Sequence, residues 1–190
     1  MTGRAVAVGP RRRVLPRPSQ SGSIVAMSTV DETPFQDRLH DNFCFGCGAD
    51  NPDGLHLKSR WDATDADRSV ARWRPQALHS AGPRGILNGG IIATLLDCHG
   101  ICTAVADAYR REGRDVGGAP ELWYATASMA VDYLRPAPID AECELTGRVV
   151  EIDDRFTTVE CELVAAGKAR ARATVRAVRV PDSWREGQSA

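Results

Sequence analysis

The sequence predicts an α+β domain, a long antiparallel β-sheet wrapped around one central α-helix. Three observations carry this expectation. One apolar run, from Gly89 to about Arg111, continues far longer than a strand. Six shorter runs alternate apolar and polar residues with the period of two that a half-buried strand requires. Their order is β-β-α-β-β-β-β, with no strand–helix–strand alternation after the helix, which disfavours a doubly wound parallel sheet.

The elements follow in chain order. Residues 1–33 are expected to lie outside the domain, which is assigned to 34–181. The first 26 residues include RRRVLPRPSQSGS, a basic stretch rich in Pro, Ser and Gly with too little apolar surface to pack. No apolar segment of roughly 7–15 residues follows the arginines, so it does not read as a secretory signal. Met27 opens an acidic, helix-compatible segment and is the expected start; a transit peptide is the other reading of the basic stretch. GLHLKSRW (54–61) sets Leu55 and Leu57 against His56, Lys58 and Arg60, a first strand. RSVARWRP (68–75) is a second, ended by Pro75. Gly82, Pro83 and Gly85 make 76–88 a loop. The helix then runs to about Arg111, with Arg110 and Arg111 at the end where the helix dipole favours cations, and Gly113 stops it. Strands are expected at 121–135, 141–152, 155–166 and 168–180, joined by the Pro136/Pro138 turn, a tight Asp153-Asp154 hairpin and Gly167. Residues 182–190 are expected to form a frayed tail.

Composition narrows the partners. The chain has 190 residues and a formal net charge of −1, so it lacks the concentrated basic field that nucleic acid requires. At 43% hydrophobic residues it can bury a substantial core. No apolar run approaches the roughly 20 residues needed to span a bilayer, and no membrane partner is expected. Of six cysteines, Cys98 and Cys102 lie in the apolar run and Cys143 and Cys161 in strand-like segments; they read as small buried hydrophobes of a cytoplasmic protein, not as a disulfide framework.

Chemistry concentrates in NGGIIATLLD, residues 88–97. A helix start leaves its first N–H groups unpaired, and Gly89 and Gly90 let a ligand or another chain approach them. The Gly90 amide can polarise a carbonyl oxygen, as an oxyanion hole does. Asp97, a lone acid in the apolar run, has small helical neighbours at Ala93, Gly100 and Ala104, which would leave a groove beside it. Burial would raise its pKa toward that of a general base. The competing reading pairs Asp97 with Arg135 or a nearby histidine. Two turns of helix, about 10 Å, separate the acid from the helix start. A dimer with two such helices side by side would bring one chain's acid to the other chain's amides.

These residues resemble the His-Gly-Gly…Asp signature of hotdog-fold acyl-CoA thioesterases of the PaaI (phenylacetate-pathway) type. The polar residue, the two glycines and the acid fall at Asn88, Gly89, Gly90 and Asp97. VDYLRPAPIDAE (131–142) and CFGCGADNPDGLHL (44–57) extend the likeness to about residues 43–180. The resemblance implies a cytoplasmic thioester hydrolase active as a homodimer or dimer of dimers. Asp97 would activate water or attack directly, Gly90 would polarise the thioester carbonyl, and coenzyme A would enter only as part of the substrate, with no other cofactor. It implies an assisting polar residue at Thr126, with Ser128 on the same strand face. Asn88 departs from the histidine of the pattern and can position but not titrate. A non-catalytic acyl-CoA or acyl-carrier binding protein is the alternative, and a hydratase is disfavoured because no histidine stands at position 88.

Other candidates are weaker. His79, before the Gly-Gly turn, and Arg135, with Arg84 or the row Lys168, Arg170, Arg172 and Arg176, are candidate substrate contacts, the basic residues for coenzyme A phosphates. The row reads first as a solvated face. His99, about 200° around the helix from Asp97, reads as a packed histidine. Cys44-x-x-Cys47 lacks a second pair at ligand spacing, because Cys98 and Cys102 lie inside a packed helix. No metal is expected, and the segment reads as a turn against the helix start.

Overall fold

The computed structural model describes residues 33–181 and 183–186. The expectations for residues 1–32 and 187–190 lie outside the described residues. Strands β1 (Ser59–Asp62), β2 (Asp65–Trp73), β3 (Tyr124–Tyr133), β4 (Cys143–Ile152), β5 (Phe156–Ala165) and β6 (Lys168–Arg179) form one six-stranded sheet in the order β1-β2-β4-β5-β6-β3. Every pairing is antiparallel. Helix α1 (Gly89–Arg111) packs across the inner face and touches β3, β4, β5 and β6. This is the hotdog arrangement expected from the element order.

The reason is a division of apolar surface. Alternate residues of β4, β5 and β6, such as Leu145, Val159, Leu163 and Val175, are buried, and Leu95 and Leu96 of α1 meet them from the other side. α1 is long and apolar enough to span a bilayer, which corrects the expectation that no run is long enough. Here the sheet takes up its apolar residues instead. The helix end follows the sequence: Arg110 and Arg111 both bond the buried Asp107, and Gly113, at φ 67°, closes the last turn by donating to the Arg110 carbonyl.

The groove of small residues expected beside Asp97 is filled by the sheet. A Cβ on Gly100 would lie 2.8 Å from Val175 Cγ2 and 2.9 Å from its Cβ. Gly100 thus sets how closely α1 approaches β6. Val175 is β-branched and stiff at χ1, so it cannot swing aside. Gly100→Ala is expected to cost about 1–2 kcal/mol, despite alanine's better helix propensity, because the overpacking outweighs it. A lower urea midpoint at unchanged slope is the expected reading; an unchanged or higher midpoint would show that the contact relaxes freely.

Besides small offsets at strand ends, two segments differ from expectation. The ladder of the first strand begins only at Ser59. Leu55 and Leu57 are buried, but their amides bond the carbonyls of Phe45 and Gly46, so this stretch pairs with the cysteine-bearing loop and not with the sheet. Its alternation comes from burial under a loop. In place of a wholly frayed tail, Ser183–Glu186 forms one helical turn, α2.

Candidate active site

Asn88 caps α1, and its Oδ1 accepts a hydrogen bond from the Gly90 amide at 2.7 Å. The donor that the sequence offers to a substrate carbonyl is therefore engaged within the chain. Tyr133, at the far end of β3, donates its hydroxyl to the Gly89 carbonyl at 2.8 Å, and its ring edge lies 3.4 Å from where a Gly89 Cβ would be. A side chain at 89 would meet the ring at ordinary van der Waals distance. Sequence reasoning missed Tyr133. The register supplies it: Tyr133 pairs with buried Ala171, which aims its side chain at the inner face.

Asp97 lies two turns further along α1. Thr126 Oγ1 donates to Asp97 Oδ1 at 2.5 Å. Burial pushes the Asp97 carboxyl above the ordinary carboxylate value, and the Thr126 hydrogen bond opposes that shift. The acid pairs with neither Arg135 nor a histidine; Arg135 reaches the Ala169 carbonyl instead. Asp97 and Thr126 line a cleft of about 180 Å³. Ile101 and Val105, one and two turns past the acid, and Leu122 give it an apolar wall, and Cys44, Cys47, Cys98 and Cys102 line the same cleft. A larger trough of about 540 Å³ lies on the outer face of the sheet among charged residues such as Arg68, Arg148 and Glu160. It includes neither Asp97 nor the helix start, so size does not mark the chemistry here.

Ser128 does not share a face with Thr126. A β-bulge falls between them: Thr126 pairs with buried Ala177, but Ser128 pairs with exposed Arg176. The extra residue, Ala127, shifts the alternation, and Met129 takes the inward position opposite Val175. Sequence counting assumes an unbroken pleat, which is why it places the two together. His79 is also away from the cleft. It is buried, its Nδ1 accepts from the Gln76 amide at 2.9 Å, and its ring lies 4.9 Å from that of Trp73. The basic row on β6 is spent within the chain: Arg172 pairs with Glu162 at 2.7 Å, Arg176 lies over the Phe156 ring at 4.1 Å, and Arg170 donates to the Ala165 and Pro136 carbonyls.

His99 is the packed histidine expected. Its ring is fully buried between the hydroxyls of Ser59, 2.9 Å from Nδ1, and Ser69, 3.1 Å from Nε2.

A family model described as Thioesterase superfamily matches residues 84–171. A thioesterase superfamily protein from Shewanella loihica PV-4, solved at 1.65 Å, is 35% identical, over 66% of this chain and 91% of that one, with a TM-score of 0.53. AziG from S. sahachiroi is similar at 26% identity, over 66% of this chain and 94% of that one, with a TM-score of 0.51. The E. coli PaaI protein from the phenylacetic acid degradation operon shares the fold at 17% identity, over 67% of this chain and 81% of that one, with a TM-score of 0.53. No curated protein matches the sequence.

Proposed function

Because the chain belongs to the thioesterase superfamily, we propose that it hydrolyses an acyl-CoA thioester, with Asp97 as the base that activates water. The observation that supports this most is a carboxylate, raised by burial and oriented by Thr126, at an apolar cleft. Asp97 takes a proton from water as the water oxygen bonds the carbonyl carbon. The carbonyl π pair moves onto oxygen, where the Gly90 N–H stabilises it, exchanging its bond to Asn88 Oδ1 for one to the oxyanion. Collapse breaks the carbon–sulfur bond, and the proton passes from Asp97 to the departing thiolate, giving the free acid and coenzyme A. Direct attack by Asp97, through an anhydride, would use the same placement.

The acid and the amide of one chain stand about 10 Å apart along α1, so the site is read as shared by two copies. Strand β3 supports this: it is an edge of the sheet, ten residues long, and it carries Thr126. Pairing β3 with its copy would cover that edge and place Asp97 of one chain near the helix start of the other. Asn88 holding the Gly90 amide favours one other reading, an acyl-CoA binding protein without turnover.

A panel of short, branched, aromatic and long-chain acyl-CoAs, followed by thiol release, separates the readings. Turnover of at least one member is expected. Saturable binding without thiol release would favour the binding protein, and neither binding nor release would overturn both.

A further inference from the structure

The fold supplies the second cysteine pair that the sequence lacked. Cys98 and Cys102 are four residues apart on α1 and so share a face. The loop carrying Cys44 and Cys47 lies on that face, not at the helix start. The Sγ atoms of Cys44 and Cys98 are 3.6 Å apart, and those of Cys47 and Cys102 are 3.9 Å apart. The sulfurs of Cys44, Cys47 and Cys98 all lie within 4.8 Å of one another. From these positions we infer that Cys44, Cys47, Cys98 and Cys102 form a four-thiolate site for a zinc ion that clamps residues 42–58 onto helix α1.

The distances support a single ion. A zinc–thiolate bond is about 2.3 Å, so the sulfurs at the corners of a tetrahedron stand about 3.8 Å apart. Separations of 3.6 and 3.9 Å lie on either side of that figure, and Cys44, Cys47 and Cys98 are mutually close; Cys102, outside that set of three, would draw in from its place beside Cys47 as the fourth ligand. A disulfide needs about 2.05 Å, and all six cysteines are free. A polynuclear iron–sulfur cluster would set iron and sulfide between the thiolates and spread them further.

The loop is shaped around the sulfurs. The turn from Cys44 to Cys47 is closed by the Gly48 amide on the Cys44 carbonyl at 2.8 Å, and the Cys44 amide donates to Asn42 Oδ1 at 3.1 Å. A Cβ on Gly46 would lie 2.3 Å from Cys98 Sγ, so the absence of a side chain there admits the helix sulfur to the turn. Residues 48–58 have no sheet ladder. A tie between this loop and the buried helix would contribute folding free energy directly. Four protein ligands leave no open position for water, so the ion would be structural and not a participant in hydrolysis.

The test is metal content. The full chain, grown with zinc and purified without chelator, is expected to hold one zinc per chain, and a Cys44→Ser/Cys47→Ser double variant is expected to lose it. If that variant does not fold, cobalt substituted into the unaltered protein gives an independent reading. Intense visible bands of tetrahedral cobalt, with thiolate-to-cobalt charge transfer, would support the site. Less than a tenth of an equivalent of zinc after zinc is restored would overturn the inference. So would a cobalt spectrum without thiolate bands, a stoichiometric iron content, or a disulfide joining any two of the four cysteines. Asp97→Asn is expected to keep its zinc, so failure of the metal site and failure of the hydrolase reading are separable.

Discussion

Asp97→Asn is expected to lower kcat for thioester hydrolysis by about 10²- to 10⁴-fold, the usual worth of a general base, with KM changed little. Asparagine has nearly the same shape, and its carbonyl oxygen can still accept from Thr126, which donates to Asp97 at 2.5 Å. What it lacks is a place for the proton of water. The fall should therefore appear in kcat, with the fold intact by circular dichroism. Thr126→Val tests the orienting bond. A hydrogen bond to a charged group is worth about 1.5–3 kcal/mol, so a loss of roughly ten- to a hundredfold is expected. Wild-type turnover by Asp97→Asn would remove the acid from the mechanism, and a Thr126→Val effect equal to that of Asp97→Asn would point to a role for the hydroxyl beyond positioning.

The other large effect is on acid stability, through His99. Desolvation holds this fully buried imidazole down at about 4, with Ser69 opposing the shift. An unfolded chain would protonate it near the ordinary value of about 6.5. Its folded pKa is the lower one, so between those values the unfolded state binds more protons. Stability is then complete above about pH 6.5, falls as pH drops toward 4 and levels off below it. The gap corresponds to roughly 3 kcal/mol. His79, also held down by burial, acts in the same direction. Urea midpoints measured between pH 7 and 4 should show the decline, and His99→Gln, which cannot titrate, should flatten it. Parallel curves for the two proteins would exclude His99 as the source.

Some of the molecule could be read without coordinates because local chemistry determines it. Gly89 and Gly90 open the apolar run of α1, and Gly113 ends it, so the helix bounds are those expected. The alternating strands are offset by only a few residues at their ends. Asp97 could be singled out because an acid in an apolar helix needs a reason, and the spacing to Gly90 sets its distance from the helix start.

Ala127, Tyr133, Gly100 and the cysteines mark where that reading stops. A bulge depends on how β3 registers against β6, and neither strand announces it; that one extra residue sends Ser128 outward while Thr126 stays with Asp97. Tyr133 meets Gly89 across 44 residues, and Gly100 meets Val175 across the helix–sheet contact. Cys44 and Cys98, 54 residues apart, come within 3.6 Å only because the loop folds over one face of the helix. The sequence by itself determined the helix, the order of the elements along the chain and the acid as a candidate, since periodicity and glycine act over a few residues. The tertiary structure alone decided the outward turn of Ser128, the use of the small residues and the gathering of the cysteines, because packing and register act between segments that no local pattern connects.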